Sequence, residues 1–143
     1  MARGNTKKKG KGGQGQNRKA SEDFLGKNKN KDGVIETHTG LQYLIREEGT
    51  GEVPDNKSIV TMHQRITLID GTIIRDTYKE IEPEVFSMTE AIDGLKEGIP
   101  LMKKGGRYKF WVPSELAFGK KGAGTKIGPN AIIVFDIKLI DFY

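Results

Sequence analysis

Apolar and polar residues alternate with a period of two along much of the chain, and this pattern is what most limits its possible folds. Alternation of this kind predicts strands that bury one face. Asp70 and Gly71 separate two of the runs, and Asp-Gly favours a two-residue hairpin turn, so those two strands should pair antiparallel. The predicted strands cover residues 40–46, 58–69, 72–78, 84–88, 107–112 and 131–140.

One short helix fits between the strands. Thr89 is a suitable first cap, and Ile92, Leu95 and Ile99 follow at spacings of three and four residues. Pro100 limits the helix to about two turns. Antiparallel strands around one helix predict an α+β domain over residues 34–143.

The first 33 residues have a different composition. They contain 10 Lys or Arg against 3 Asp or Glu, and Phe24 and Leu25 are their only large apolar residues after Met1. A segment of this kind buries too little surface to offset its chain entropy, so a disordered basic tail is predicted over residues 1–33. It could be a solubilising tail, a localisation signal, or an arm that contacts RNA or an acidic protein. The residues assigned to nucleic-acid contact are Lys7, Lys8, Lys9, Lys11, Arg18 and Lys19.

Several classes of protein are excluded by what the sequence lacks. The chain has no cysteine, so it has no disulfide, thiolate zinc site or cysteine nucleophile. No run approaches the roughly 20 apolar residues that span a bilayer, and no apolar segment follows the basic start as in a secretory signal. His38 and His63 are too few for a metal site, and no cofactor is expected. A monomeric cytoplasmic protein without membrane association is the expectation.

If the domain is an enzyme, its reaction should need no nucleophile, metal or cofactor. Residues 119–126 have glycines spaced as in a phosphate loop, but Thr-Lys stands where Lys-Ser/Thr belongs, so a surface loop is predicted. Rotation about a prolyl peptide bond needs only a cavity that desolvates the bond and fits its twisted form.

The second half of the chain contains four short motifs: GGR at residues 105–107, VPSELAFG at 112–119, IGPNA at 127–131 and VFD at 134–136. Together these motifs resemble the FKBP family of prolyl isomerases. Residues 39–43 and 68–72 resemble the first strand and the hairpin of bacterial members. The resemblance implies an antiparallel sheet of five or six strands wrapped around one short helix, with a prolyl pocket between them.

The resemblance also implies the site residues. Those assigned to catalysis are Ile92, Leu95, Phe118 and Phe135. Those assigned to substrate binding are Gln64, Ile74, Arg75, Phe86, Ala91 and Ile127. Several depart from the family, which has Tyr at Gln64, Phe-Asp at Ile74-Arg75, Val at Ala91, Trp at Leu95 and Tyr at Phe118.

Two of these departures face each other. Gln64 alternates onto the apolar face of its strand, and a two-residue turn would pair Ile66 with Arg75 and Gln64 with Thr77. Gln64 and Arg75 are then diagonal neighbours whose side chains can hydrogen-bond. In that simple register Ile74 points away, so a bulge is expected. Arg75 should give the pocket a positive charge, which would either clash with the family's usual twisted-carbonyl arrangement or favour acidic sequences near proline.

The leading interpretation is a weak prolyl isomerase that acts on Xaa-Pro bonds of flexible chains and assists folding. The alternatives are a non-catalytic FKBP-fold binding module and an RNA- or ribosome-associated factor tethered by the basic tail. Trp111 alternates outward among basic residues, where it could stack on a base. The favoured interpretation is that Trp111 lies beneath its own tail, against Phe24 or Leu25.

Overall fold

The computed structural model describes residues 14–80 and 82–143, which form two α-helices and seven strands. The helices are α1 (Gln14–Asn28) and α2 (Asp93–Gly98). The strands are β1 (Ile35–Glu36), β2 (Gln42–Glu47), β3 (Ile59–Leu68), β4 (Ile73–Asp76), β5 (Glu84–Ser87), β6 (Arg107–Val112) and β7 (Ile133–Phe142).

All seven strands belong to one antiparallel sheet, as the alternation predicts. Its order is β1-β2-β6-β7-β3-β4, and β5 also pairs with β3. One end of β3 pairs with β5 through residues 59–62, and the other pairs with β4 through residues 65–67. The long β3 therefore carries two short strands on one edge. The core lies between this sheet and α2, and Phe110, Ile137 and Leu139 are fully buried in it.

The hairpin between β3 and β4 has the predicted pairing and the expected bulge. Ile66 pairs with Arg75, but Thr67 pairs with Ile73, so Ile74 is an extra residue on β4. The bulge turns Ile74 toward the core, against which it packs. Thr77 follows β4 and is buried, and its Oγ1 accepts a hydrogen bond from the backbone N–H of Gln64 at 2.7 Å.

The helix α2 begins later than the sequence pattern predicts. The Ser87 hydroxyl caps a 3₁₀ turn at Met88–Glu90, and Ala91 and Ile92 are extended, so α2 starts at Asp93 rather than after Thr89. It lies unusually close to β6 because it presents glycines to that strand. A Cβ at Gly98 would lie 2.7 Å from the Phe110 ring, and one at Gly94 would overlap Val112.

The prediction of disorder over residues 1–33 is wrong for Gln14–Asn28, which form α1. Phe24 and Leu25 pack against Trp111 on the face of the sheet opposite α2, which confirms that Trp111 lies beneath its own tail. Asn28 is buried and donates from Nδ2 to Oε1 of Gln42 at 2.9 Å. Tertiary contacts thus stabilise a helix that its composition does not favour. The predicted boundary between residues 33 and 34 stays a prediction.

Replacing Phe24 by alanine should loosen α1. Trp111 is the only tryptophan, so its fluorescence reports how well α1 covers it. We expect Phe24→Ala to shift the emission to longer wavelength. We also expect the free energy of unfolding to fall by about 1–2 kcal/mol, less than the roughly 3–5 kcal/mol for a fully buried phenylalanine.

The matched control is Val85→Ala, which truncates a side chain that is 60% exposed and outside the Trp111 cluster. The control should leave the emission unchanged. Unchanged emission in a folded Phe24→Ala variant would contradict the docking of α1 on Trp111.

Candidate functional site

An apolar cavity of about 250 Å³ opens between α2 and the β3, β4 and β5 side of the sheet. Three phenylalanines from separate elements surround it: Phe86 on β5, Phe118 in the loop after β6, and Phe135 on β7. Leu95 of α2 lines the cavity and is 5% exposed, so its side chain is part of the core as well. The cavity is therefore assembled from residues that are far apart in sequence.

The structure brings together all of the predicted pocket residues except Arg75. Those that line the cavity are Gln64, Ile74, Phe86, Ala91, Ile92, Leu95, Phe118, Ile127 and Phe135. Their individual roles in binding and catalysis stay predictions. Phe118 lies at the mouth, where it is 37% exposed, and the Ile127 side chain is buried.

Four further lining residues were missed by sequence reasoning. Ile66 and Ile133 share a strand face with predicted neighbours, and period-two alternation from Gln64 and Phe135 would have found both. Glu84 and Glu90 also line the cavity. No local signal marks them, since a carboxylate beside an apolar strand or turn is ordinary in a sequence.

Gln64 and Arg75 are joined through a third residue instead of to each other. Gln64 Nε2 donates to Oε1 of Glu84 at 2.7 Å, and Arg75 Nε donates to the same oxygen at 3.3 Å. Gln64 is only 6% exposed, as its place on the apolar face predicts. One carboxylate oxygen thus connects β3, β4 and β5 at the edge of the cavity.

The expectation that Arg75 gives the cavity a positive charge is wrong. Arg75 does not line the cavity, and its side chain is 44% exposed. Its guanidinium forms ion pairs with Glu84 at 3.3 Å and with Glu80 at 3.5 Å. The charged groups that do line the cavity are the carboxylates of Glu84 and Glu90. Arg75 lies outside the cavity lining, and its guanidinium is paired with the carboxylates of Glu80 and Glu84.

The backbone N–H of Ile92 is a hydrogen-bond donor at the cavity. Ile92 precedes α2 with φ −65° and ψ 160°, and its carbonyl accepts from the N–H groups of Leu95 and Lys96. The Ile92 N–H itself has no hydrogen-bond acceptor among the described residues. This N–H is therefore available to a carbonyl oxygen that enters the cavity.

Other sequence candidates lie away from the cavity. His63 contacts neighbouring side chains: its Nδ1 lies 3.1 Å from Thr77 Oγ1, and its ring stacks on Tyr78. Arg18 and Lys19 are exposed on α1, and Lys19 lies 3.6 Å from Asp23. The other assigned nucleic-acid residues, Lys7, Lys8, Lys9 and Lys11, lie outside the described residues. RNA contact and a cytoplasmic location therefore stay predictions.

The described part of the chain has neither a cluster of metal-ligating side chains nor a membrane-spanning helix. No group of three or more His, Cys, Asp or Glu side chains there is arranged to hold a metal ion. None of its helices has the length and apolar character needed to cross a membrane.

An antiparallel sheet around one short helix, with an aromatic cavity between them, defines the FKBP class of protein. The profile described as "FKBP-type peptidyl-prolyl cis-trans isomerase" matches residues 50–140. The profile for the "domain amino terminal to FKBP-type peptidyl-prolyl isomerase" matches residues 2–45. The chain therefore belongs to the family of FKBP-type peptidyl-prolyl cis-trans isomerases.

Individual relatives agree with this assignment. The chain is 44% identical over 124 residues to the probable FKBP-type peptidyl-prolyl cis-trans isomerase FkpA of Neisseria meningitidis, covering 87% of this chain and 46% of that protein. It thus spans less than half the length of this curated relative.

Solved structures show the same fold. The crystal structure of FkpA from Escherichia coli matches with a TM-score of 0.85 and 36% identity, over 90% of this chain and 60% of that one. A peptidyl-prolyl cis-trans isomerase from Pseudomonas syringae pv. tomato matches with a TM-score of 0.85 and 29% identity, over 94% of this chain and 98% of that one.

Removing the Glu84 carboxylate should destabilise the fold. Glu84→Ala takes away the acceptor of the Gln64 amide, and Gln64 is 6% exposed, so its N–H groups lose a buried partner. Leaving a buried donor unsatisfied costs about 1–3 kcal/mol. We expect the free energy of unfolding, measured by urea denaturation, to fall by that amount.

The matched control is Glu80→Ala, which removes only the more exposed ion pair with Arg75. Exposed ion pairs contribute about 0–1 kcal/mol, so this variant should lose less stability than Glu84→Ala. Equal losses in the two variants would mean that the Gln64 contact does not stabilise the fold.

Proposed function

We propose that the chain is a peptidyl-prolyl cis-trans isomerase that acts on Xaa-Pro bonds of flexible or unfolded polypeptides and so assists folding. The observation that carries the proposal is the cavity itself. It is apolar and lined by three phenylalanines and by Ile92, whose backbone N–H has no acceptor among the described residues. Family membership supports the same activity.

The reaction makes and breaks no covalent bond. Its barrier of about 18–20 kcal/mol arises because rotation breaks the resonance of the amide. The planar amide has the larger dipole, so an apolar cavity that strips water from it favours the twisted form. Phe86, Phe135 and Leu95, which line the cavity, would enclose the proline ring and exclude water.

The N–H of Ile92 would act on the carbonyl of the bound segment. A donor that fits the twisted arrangement better than the planar ground state lowers the barrier by differential binding. Phe118 lies at the mouth without the hydroxyl that the family's tyrosine supplies there, and Leu95 replaces the tryptophan of the floor. Both changes support an activity below that of typical family members.

The Ile92 N–H can be removed with little other change. Ile92 has φ −65°, the value that proline adopts, and Ala91 has ψ 151°, which suits a residue before proline. Ile92→Pro deletes the donor, whereas Ile92→Val, of similar size, keeps it. We expect kcat/KM on Xaa-Pro peptides to be about fivefold lower for Ile92→Pro than for Ile92→Val, since one hydrogen bond contributes about 1 kcal/mol.

The assay is NMR exchange or protease-coupled isomerisation at high protein concentration, with Trp111 emission as the check that each variant is folded. Equal rates for the two variants would show that the Ile92 N–H plays no part. Absence of any acceleration by the folded parent chain would overturn the proposed activity and favour the non-catalytic binding module.

A second variant tests the cause of the expected weakness. Phe118→Tyr restores the family's hydroxyl at a position that is 37% exposed and lines the cavity. We expect kcat/KM to rise about fivefold, because the hydroxyl can bond a substrate carbonyl. A kcat/KM no higher than that of the parent would mean that the missing hydroxyl at Phe118 does not limit activity. The replacement of tryptophan by Leu95 would then be the remaining cause to test.

A further inference from the structure

The two charged side chains that line the cavity are both carboxylates. Three polar side chains line the cavity: Gln64, Glu84 and Glu90. Ionised carboxylates only accept hydrogen bonds. Glu84 Oε1 already accepts from Gln64 and Arg75, so part of its charge is compensated.

The Gln64 amide adds to this pattern. Glu84 can only accept, so the amide must turn its Nε2 toward Glu84, which places Oε1 on the other side. That Oε1 is buried and has no hydrogen-bond partner among the described residues. Buried polar atoms are nearly always paired, so this oxygen, on a side chain that lines the cavity, is an acceptor without its usual donor.

Glu90 is the least compensated charge. Its side chain is exposed, and no ion pair or hydrogen bond joins it to another described residue. Within the described part of the chain, no Lys or Arg side chain lines the cavity. The Nζ of Lys126, in the loop that precedes Ile127, lies 3.5 Å from the carbonyl oxygen of Ile73. A carboxylate next to a low-dielectric cavity attracts a cation more strongly than it would in water.

We propose that the side of the cavity formed by Gln64, Glu84 and Glu90 binds a cationic side chain, a Lys or Arg next to the proline of the bound segment. The aliphatic stem of such a side chain suits the apolar lining, and its charged end suits the acceptors. The selection is opposite in sign to the one that Arg75 suggests from sequence. This inference rests on the proposed function, because it names the substrate class of the same cavity.

The test compares three peptides that differ only around proline: Lys-Pro-Lys, Gln-Pro-Gln and Glu-Pro-Glu in a common neutral frame. Placing the charge on both sides makes the result independent of peptide direction. We expect kcat/KM for the Lys peptide to exceed that for the Glu peptide about tenfold at low salt, with the Gln peptide between them. Dissociation constants from NMR titration should follow the same order.

The preference should be electrostatic and should depend on Glu90. Raising the ionic strength from about 0.01 M to about 1 M shortens the Debye length from about 30 Å to about 3 Å, so the ratio should shrink. Glu90→Gln should reduce the ratio to about threefold or less. The matched control, Glu52→Gln, makes the same change in net charge at an exposed residue that does not line the cavity, and it should keep the parent ratio.

The outcomes separate the inference from the proposed function. Equal kcat/KM for all three peptides, with clear acceleration, overturns the cationic preference and leaves the isomerase intact. A preference that Glu90→Gln and Glu52→Gln lower equally also overturns it, since net charge would then be the cause. No acceleration by a folded chain overturns the isomerase, and the dissociation constants then decide the preference: equal values for the Lys and Glu peptides overturn it.

Discussion

The close approach of α2 to the sheet is the constraint on which the rest of the structure depends. Gly94 and Gly98 face Val112 and Phe110 of β6, and a Cβ at either position would collide with them. Because the helix lies so near β6, Leu95 reaches the core while also lining the cavity. The space between helix and sheet is lined by residues of β3, β4 and β5, and Phe118 and Phe135 complete the lining. The position of the helix, and therefore of the Ile92 N–H, is possible because Gly94 and Gly98 have no side chains.

The edge of the cavity depends on one carboxylate. Glu84 accepts from Gln64 and Arg75, and thereby holds together three strands that meet only at β3. In this arrangement Arg75 lies outside the cavity lining, Gln64 Oε1 has no partner among the described residues, and the charged side chains of the lining are carboxylates. Two of the substitutions that distinguish this chain from its family, Gln64 and Arg75, are thus connected through Glu84. Restoring Tyr at Gln64 and Asp at Arg75 would place a new carboxylate beside Glu80 and Glu84, so the original family pair cannot be recovered by those two changes alone.

Sequence reasoning succeeded wherever local pattern and burial agree. Alternation located six of the strands, the Asp-Gly turn fixed the pairing of Ile66 with Arg75, and Trp111 was correctly placed beneath Phe24 and Leu25. It failed where tertiary contacts override composition. The helix α1 forms in a segment with few apolar residues because the sheet supplies the surface on which two of them pack. The start of α2 was misplaced because Ser87 caps a separate turn before Ala91 and Ile92 become extended.

The sequence by itself determined the strands of the sheet, the family and most of the residues around the cavity. Strand alternation and the short motifs between residues 105 and 136 are local properties that can be recognised without the fold. Only the tertiary structure decided the charge of the site. Electrostatics depends on which groups meet across strands, and Arg75, Glu80 and Glu84 meet only after β4 and β5 have folded against β3. The sequence shows which residues are charged, but the fold decides whether a charge faces a ligand or a neighbouring carboxylate.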